Sequence, residues 1–159
     1  MLKTVPKIIF AILALVVGQV TFLEIFKIAG VKPDICISAV AYFGLVGGVY
    51  VGLYTGAAAG LLYGLFSAAP LPIHIISFAL CGYVAGILSK HIYRDNIIWC
   101  LVAGFLSAAF MLFFDYAAGG MLSDAVSIAD FAYLTVLPIA VYTSIISPPL
   151  FFLLSRIYK

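Results

Sequence analysis

The chain has 159 residues, of which 66% are hydrophobic and 9% charged, with a formal net charge of +2. A soluble domain carries about 25% charged residues, so this composition excludes a soluble globular protein. The absence of a basic patch also leaves nucleic acid nothing to bind.

The first apolar run, Ile8–Leu23, follows Lys3 and Lys7. This resembles a signal peptide in outline. Glu24, Ile25, Phe26 and Lys27 follow it instead of a small-residue cleavage site, so the run reads as an uncleaved first span over 8–23. Gln19 is the most polar residue well inside it. Its expected role is an interhelical hydrogen bond of roughly 0.5–1.5 kcal/mol.

Ile35 to Ser89 is a stretch of 55 residues without Lys, Arg, Asp or Glu. It holds two long spans or three short ones. Charge bias decides, because short Lys/Arg-rich segments stay on the cytoplasmic side. Lys3 and Lys7 precede the first span, Lys90 and Arg94 follow the long run, and Arg156 and Lys159 end the chain. The segment Asp115–Asp130 has acids and no Lys or Arg. With both basic segments inside, the long run must supply an odd number of crossings, hence three. Lys27 and Lys32 then fall outside, sharing their loop with Glu24 and Asp34.

The breaks are expected near Gly47–Tyr50, where the chain either turns or forms a re-entrant segment, and at Ser67–Pro72, where Pro70 and Pro72 end helices. This gives spans over 35–48, 51–67 and 73–89. Glycines recur every fourth residue at Gly44, Gly48, Gly52, Gly56, Gly60 and Gly64. Positions four apart share a helix face, and a glycine ridge lets another backbone approach closely. The face Gly52, Gly56, Gly60 and Gly64 is a candidate surface for a partner helix, or for the chain's own neighbours. Gly82 and Gly86 repeat the spacing in the following span.

The fifth span is expected over 97–114. Asp115–Asp130, with Gly119-Gly120, reads as an external loop holding a short surface helix. The last span, 131–155, contains Pro138, Pro148 and Pro149, so a kinked or tilted helix is expected. The sum is an all-α integral membrane protein of six transmembrane helices in one domain over 1–159, with both termini inside. Tyr50, Tyr93, Trp99, Tyr133 and Tyr158 fall near the proposed interfaces, as belt residues do.

No catalytic constellation, cofactor motif or metal-ligand cluster stands out. His74 follows the proline turn and His91 lies between Lys90 and Arg94, neither with companions that would make a metal site. Cys36, Cys81 and Cys100 read as small apolar packing residues. No span interior carries an ionisable residue; Glu24 and Asp115 stand at span ends. Ion-coupled transport normally uses such residues, so their absence argues against a pump.

Several motifs then fall in a telling order. Pro33-Asp34 precedes an apolar helix with Tyr42; Gly52, Gly56 and Gly60 precede Leu61-Leu62; Ser67 and a proline turn lead to Ala79–Gly86 with Gly82-Tyr83. With Gln19 in the first helix, this resembles MreD, the rod-shape-determining membrane protein of bacteria. The resemblance covers most of the chain and is strongest from Pro33 to Asn96. Many members of that family carry an acid where this chain has Gly64.

The resemblance implies a non-enzymatic scaffold of the cell-wall elongation machinery in the cytoplasmic membrane. Its partner would be the single-pass protein MreC, and through it MreB, RodA and a class B penicillin-binding transpeptidase. No cofactor is implied. The partner would meet the glycine face or the outer loop at Pro33 and Asp34. The family's arrangement is also similar to the substrate-binding subunits of energy-coupling-factor vitamin transporters, which makes such a subunit the alternative reading. A subunit of that kind needs polar residues converging on a pocket, and this chain offers only Glu24, Asp34, His74, Asp124 and a few hydroxyls.

Overall fold

The computed structural model describes residues 5–21, 33–67, 71–89, 97–119 and 128–158. The charged loops expected around Glu24–Lys32 and Lys90–Asp95, the proline at 70, Asp124, and the terminal Lys3 and Lys159 lie outside them. Every described element is helical: α1 (Val5–Thr21), α2 (Ile35–Phe66), α3 (Leu71–Leu88), α4 (Ile97–Gly119), α5 (Ile128–Phe131), a π-helical turn (Ala132–Val136) and α6 (Leu137–Tyr158). Three stretches are long and apolar enough to cross a membrane: Ile35–Phe66, Leu71–Leu88 and Ala132–Arg156.

The 32 residues of α2 do not form one rod. Gly48 has φ 82° and ψ −173°, a left-handed conformation that other residues adopt only with strain. The chain reverses there. A Cβ built on Gly52 would lie 2.8 Å from the Gly44 Cα, whereas eight residues of straight helix would separate those positions by about 12 Å. Farther along, Ala59 shares a small crevice with Cys36, Ala39 and Val40. The two arms, 35–47 and 49–66, therefore lie antiparallel, in register about Gly48. The break expected at Gly47–Tyr50 is a tight turn centred on one glycine, and Tyr50, beside it, is 76% exposed.

The sequence explains the other boundaries. Asp34 caps the start of α2, its Oδ1 accepting from the Ile37 N–H at 3.1 Å, as N-cap carboxylates do. Ser67 ends α2 in an extended conformation. α3 starts at Leu71, earlier than expected, with Pro72 in its first turn, where the missing N–H costs nothing. α4 runs to Gly119 rather than stopping at Phe114. An aspartate does not break a helix, and the chain meets no strong breaker before Gly119-Gly120. Tyr116, in this extension, stacks on Phe131 with ring centroids 4.5 Å apart.

The last stretch is continuous helix from Ile128 to Tyr158, widened at Ala132–Val136. The widening sits just before Pro138. In a regular α-helix the Pro138 ring would meet the carbonyl of Leu134 and leave it without a donor; a π turn relieves that contact. Pro148 and Pro149 are held inside α6.

The core lies around the first arm of α2. Residues 36–45 are all buried, with Phe43, Ile37 and Val40 at 0–1% exposure. The second arm and α3 lie against this arm on one side, and α1 and α6 complete the cover. Tyr42 meets Phe43 and Phe151 edge-on at 5.7 and 5.1 Å, tying the arm to α6.

Candidate functional site

The residues singled out by the sequence gather at the glycine ridge and at the polar junction at Pro33-Asp34, and a cavity lies beside α3.

The ridge on the second arm of α2 faces α3. A Cβ on Gly52 would collide with the Gly82 carbonyl oxygen, one on Gly56 with that of Phe78, and one on Gly60 with that of His74. The return contact is equally close: a Cβ on Gly82 would strike the Gly52 oxygen. Backbone thus meets backbone over three helical turns, the approach that Cα–H···O contacts favour at about 0.5–1 kcal/mol each. Gly44 joins from the first arm, its missing Cβ falling 2.6 Å from the Gly82 oxygen and 2.9 Å from the Ala85 Cβ. Gly64 differs, since its nearest neighbour is the flexible end of the Leu71 side chain at 3.0 Å, with the His74 Cβ and the Leu71 Cα at an ordinary 3.5 Å. The face expected to take a partner helix is filled by α3 of the same chain. A bulky residue at Gly56 or Gly60 would first part α2 from α3.

The polar junction gathers α1, α2 and α6. Gln19 is 2% exposed. Its Nε2 donates to the Pro33 carbonyl at 2.9 Å, and its Oε1 accepts from the Ile35 N–H at 3.0 Å. One amide therefore clamps both sides of Asp34. The Asp34 N–H donates to Thr143 Oγ1 on α6 at 2.9 Å. One turn on, the hydroxyls of Ser38 and Ser147 meet at 3.1 Å, and Ser147 Oγ also donates to the Thr143 carbonyl at 2.8 Å. Gly104 of α4 makes room for that group, because a Cβ there would overlap Ser147 Oγ.

The arms of α2 explain why this junction exists. The first arm rises only about 20 Å, the second about 27 Å. With the arms in register, Asp34 is level with about Leu62, one turn or about 6 Å short of the end at Phe66. The irregular backbone at 33–35 therefore starts below the level of its neighbours. Buried non-helical backbone must find partners within the protein, and Gln19 and Thr143 supply them. Pro33 is buried and Asp34 spends a carboxylate oxygen on its cap, so both have structural work. The expectation that Gln19 bonds between helices holds, with backbone as its partner.

His74 is buried, its Nε2 2.9 Å from Ser67 Oγ and its ring edge-on to Tyr63 at 5.3 Å. It ties the end of α2 to the start of α3. Cys36, Cys81 and Cys100 are buried thiols, and no group of three or more potential metal ligands occurs among the described residues.

A cavity of about 360 Å³ lies between the first arm of α2, α3 and α4. Leu45, Cys81, Leu88, Val102, Ala103 and Phe110 are among its walls. Its one hydroxyl, on Ser107, donates to the Gly104 carbonyl at 3.0 Å. No pattern in the sequence marks it, since most of its walls are ordinary Leu, Val and Ala.

Comparison of the chain with family models, curated proteins and solved structures returned no match.

Proposed function

We propose that this chain is a six-crossing protein of the bacterial cytoplasmic membrane, with both termini inside, that works as a non-enzymatic scaffold. It would serve the cell-wall elongation complex, as its resemblance to MreD implies, binding MreC and helping set rod shape. The observation that carries the reading is how its intramembrane polar groups are spent. Gln19, Thr143, Ser38 and Ser147 bond to helix starts and to each other, while the cavity presents hydrocarbon. A vitamin-binding subunit needs the reverse, a pocket with converging polar groups.

With the glycine ridge occupied by α3, a single-helix partner has another surface. Leu137, Val141 and Ile145 are 42–63% exposed, and their spacing of four sets them on one face of α6. A transmembrane helix of MreC would lie along this stripe. The test is gentle purification of the tagged protein from its native membrane, followed by mass spectrometry. Recovery of MreC, and its loss on Val141→Trp/Ile145→Trp with normal expression, is the expected result. Recovery of a transporter ATPase module or a bound vitamin would replace the scaffold reading with the transporter subunit.

A further inference from the structure

The geometry points to the cavity between α2, α3 and α4 as the seat of one acyl chain of a resident phospholipid. The inference needs only that these helices are membrane-embedded, and it stands or falls apart from the scaffold reading.

Three occupants compete. Water needs two to four polar partners to enter a cavity. The walls offer apolar side chains, with the Ser107 hydroxyl bonded to its own helix. A second helix, about 10 Å across, is the competing occupant, and its retention in the test below overturns the proposal. A hydrocarbon chain matches the walls. It is slender, makes no hydrogen bonds, and 360 Å³ falls in the range of roughly 300–1,000 Å³ where small-molecule sites occur.

The orientation agrees. The lining residues run along α3 from Cys81 to Leu88 and along α4 from Val102 to Phe110, about 10–12 Å of each helix, so a chain lying against them runs beside both. Its rim is open to the same phase: Val84, Leu88, Val102, Leu106 and Phe110 line it and are 36–53% exposed. Cys81 is 4% exposed and forms part of the inner wall. Leaving such a space empty would forfeit the dispersion contacts of its lining.

The test is native mass spectrometry of the full chain released from mild detergent after reconstitution in vesicles of palmitoyl-oleoyl phosphatidylethanolamine and phosphatidylglycerol. The expected result is one retained phospholipid per chain. Ala103→Phe, which fills the cavity, should lower retention about tenfold, while Leu153→Phe on the exposed face of α6 should not. Equal retention by Ala103→Phe, a bare wild-type chain, or a retained polyprenyl lipid or protein would each overturn the proposal. If Ala103→Phe does not fold, the thiol at 81 gives the answer in a Cys36→Ala/Cys100→Ala background. Added dioleoyl phosphatidylglycerol should slow its reaction with methyl methanethiosulfonate about tenfold; an unchanged rate overturns the proposal too.

Discussion

Alanine at each glycine of the ridge should produce a graded loss of stability, ordered by what the new methyl group meets. At Gly56 it would lie 2.8 Å from the Phe78 carbonyl carbon and 2.9 Å from the Ala79 Cα, with the Phe78 oxygen closer still. Ordinary contact begins near 3.4 Å, so the backbones must part by at least about half an ångström. A gap of that size forfeits about a quarter of the dispersion energy of each contact it opens. Against this, alanine returns about 0.8–1 kcal/mol of helix propensity. Overpacking a tight contact costs about 1–3 kcal/mol, and the Cα–H···O contacts weaken too. The net expectation is a loss of about 1–3 kcal/mol for Gly52→Ala, Gly56→Ala and Gly60→Ala. Gly64→Ala should cost little, because the Leu71 side chain can move. Gly18→Ala, with nothing within 4 Å, should stabilise by about 0.5–1 kcal/mol. The assay is reversible unfolding of the purified chain in one detergent, with the five variants side by side. If Gly56→Ala unfolds with Gly18→Ala rather than with Gly52→Ala, backbone contact between α2 and α3 is not what the ridge provides.

Gln19→Leu should destabilise by about 2–4 kcal/mol, since it strands the Pro33 carbonyl and the Ile35 N–H; an unchanged melting temperature would show that other groups satisfy them. Gly48→Val and Gly48→Asn should each cost about 1–3 kcal/mol, because φ 82° with ψ −173° is a region essentially reserved for glycine; unchanged thermal melts in both would contradict the turn. Gly104→Ala should destabilise while Gly104→Ala/Ser147→Ala recovers part of the loss, a coupling readable from a double-mutant cycle. A topology reporter fused at Gly120 should read as external; an internal signal breaks the six-crossing model.

The glycine spacing announced a close backbone approach, and α2 and α3 make one. The spacing alone did not reveal the occupant, because every glycine in the series looks alike. Gly48 turns the chain, Gly44, Gly52, Gly56 and Gly60 meet α3 closely, and Gly64 meets α3 more loosely, its nearest neighbour a flexible side-chain end. What distinguishes them is the fold-back, a long-range event that a four-residue period does not encode. Gln19 was legible as a buried hydrogen-bonding residue. Its partners, 14 and 16 residues onward, were not, because they are backbone groups that any sequence supplies. The π turn before Pro138 shows the same limit from the other side: the proline signals a disturbance, and its neighbours decide whether that becomes a bend or a wider turn.

These features belong to one mechanical design. The Gly48 reversal makes two antiparallel helices where the break was expected, and α3 then packs against both, with backbone in contact at the glycines. That triple contact is rigid, because backbone atoms in contact have no rotamers to change. Its cost is the short first arm, which leaves the start of α2 below the level of its neighbours. Gln19 from α1 and Thr143 from α6 offset that cost, and so join the outer helices to the plate. α4 and α6 remain less buried, with large apolar side chains turned outward. A partner or lipid that binds there meets those side chains, and the polar junction links α6 at Thr143 to the start of α2.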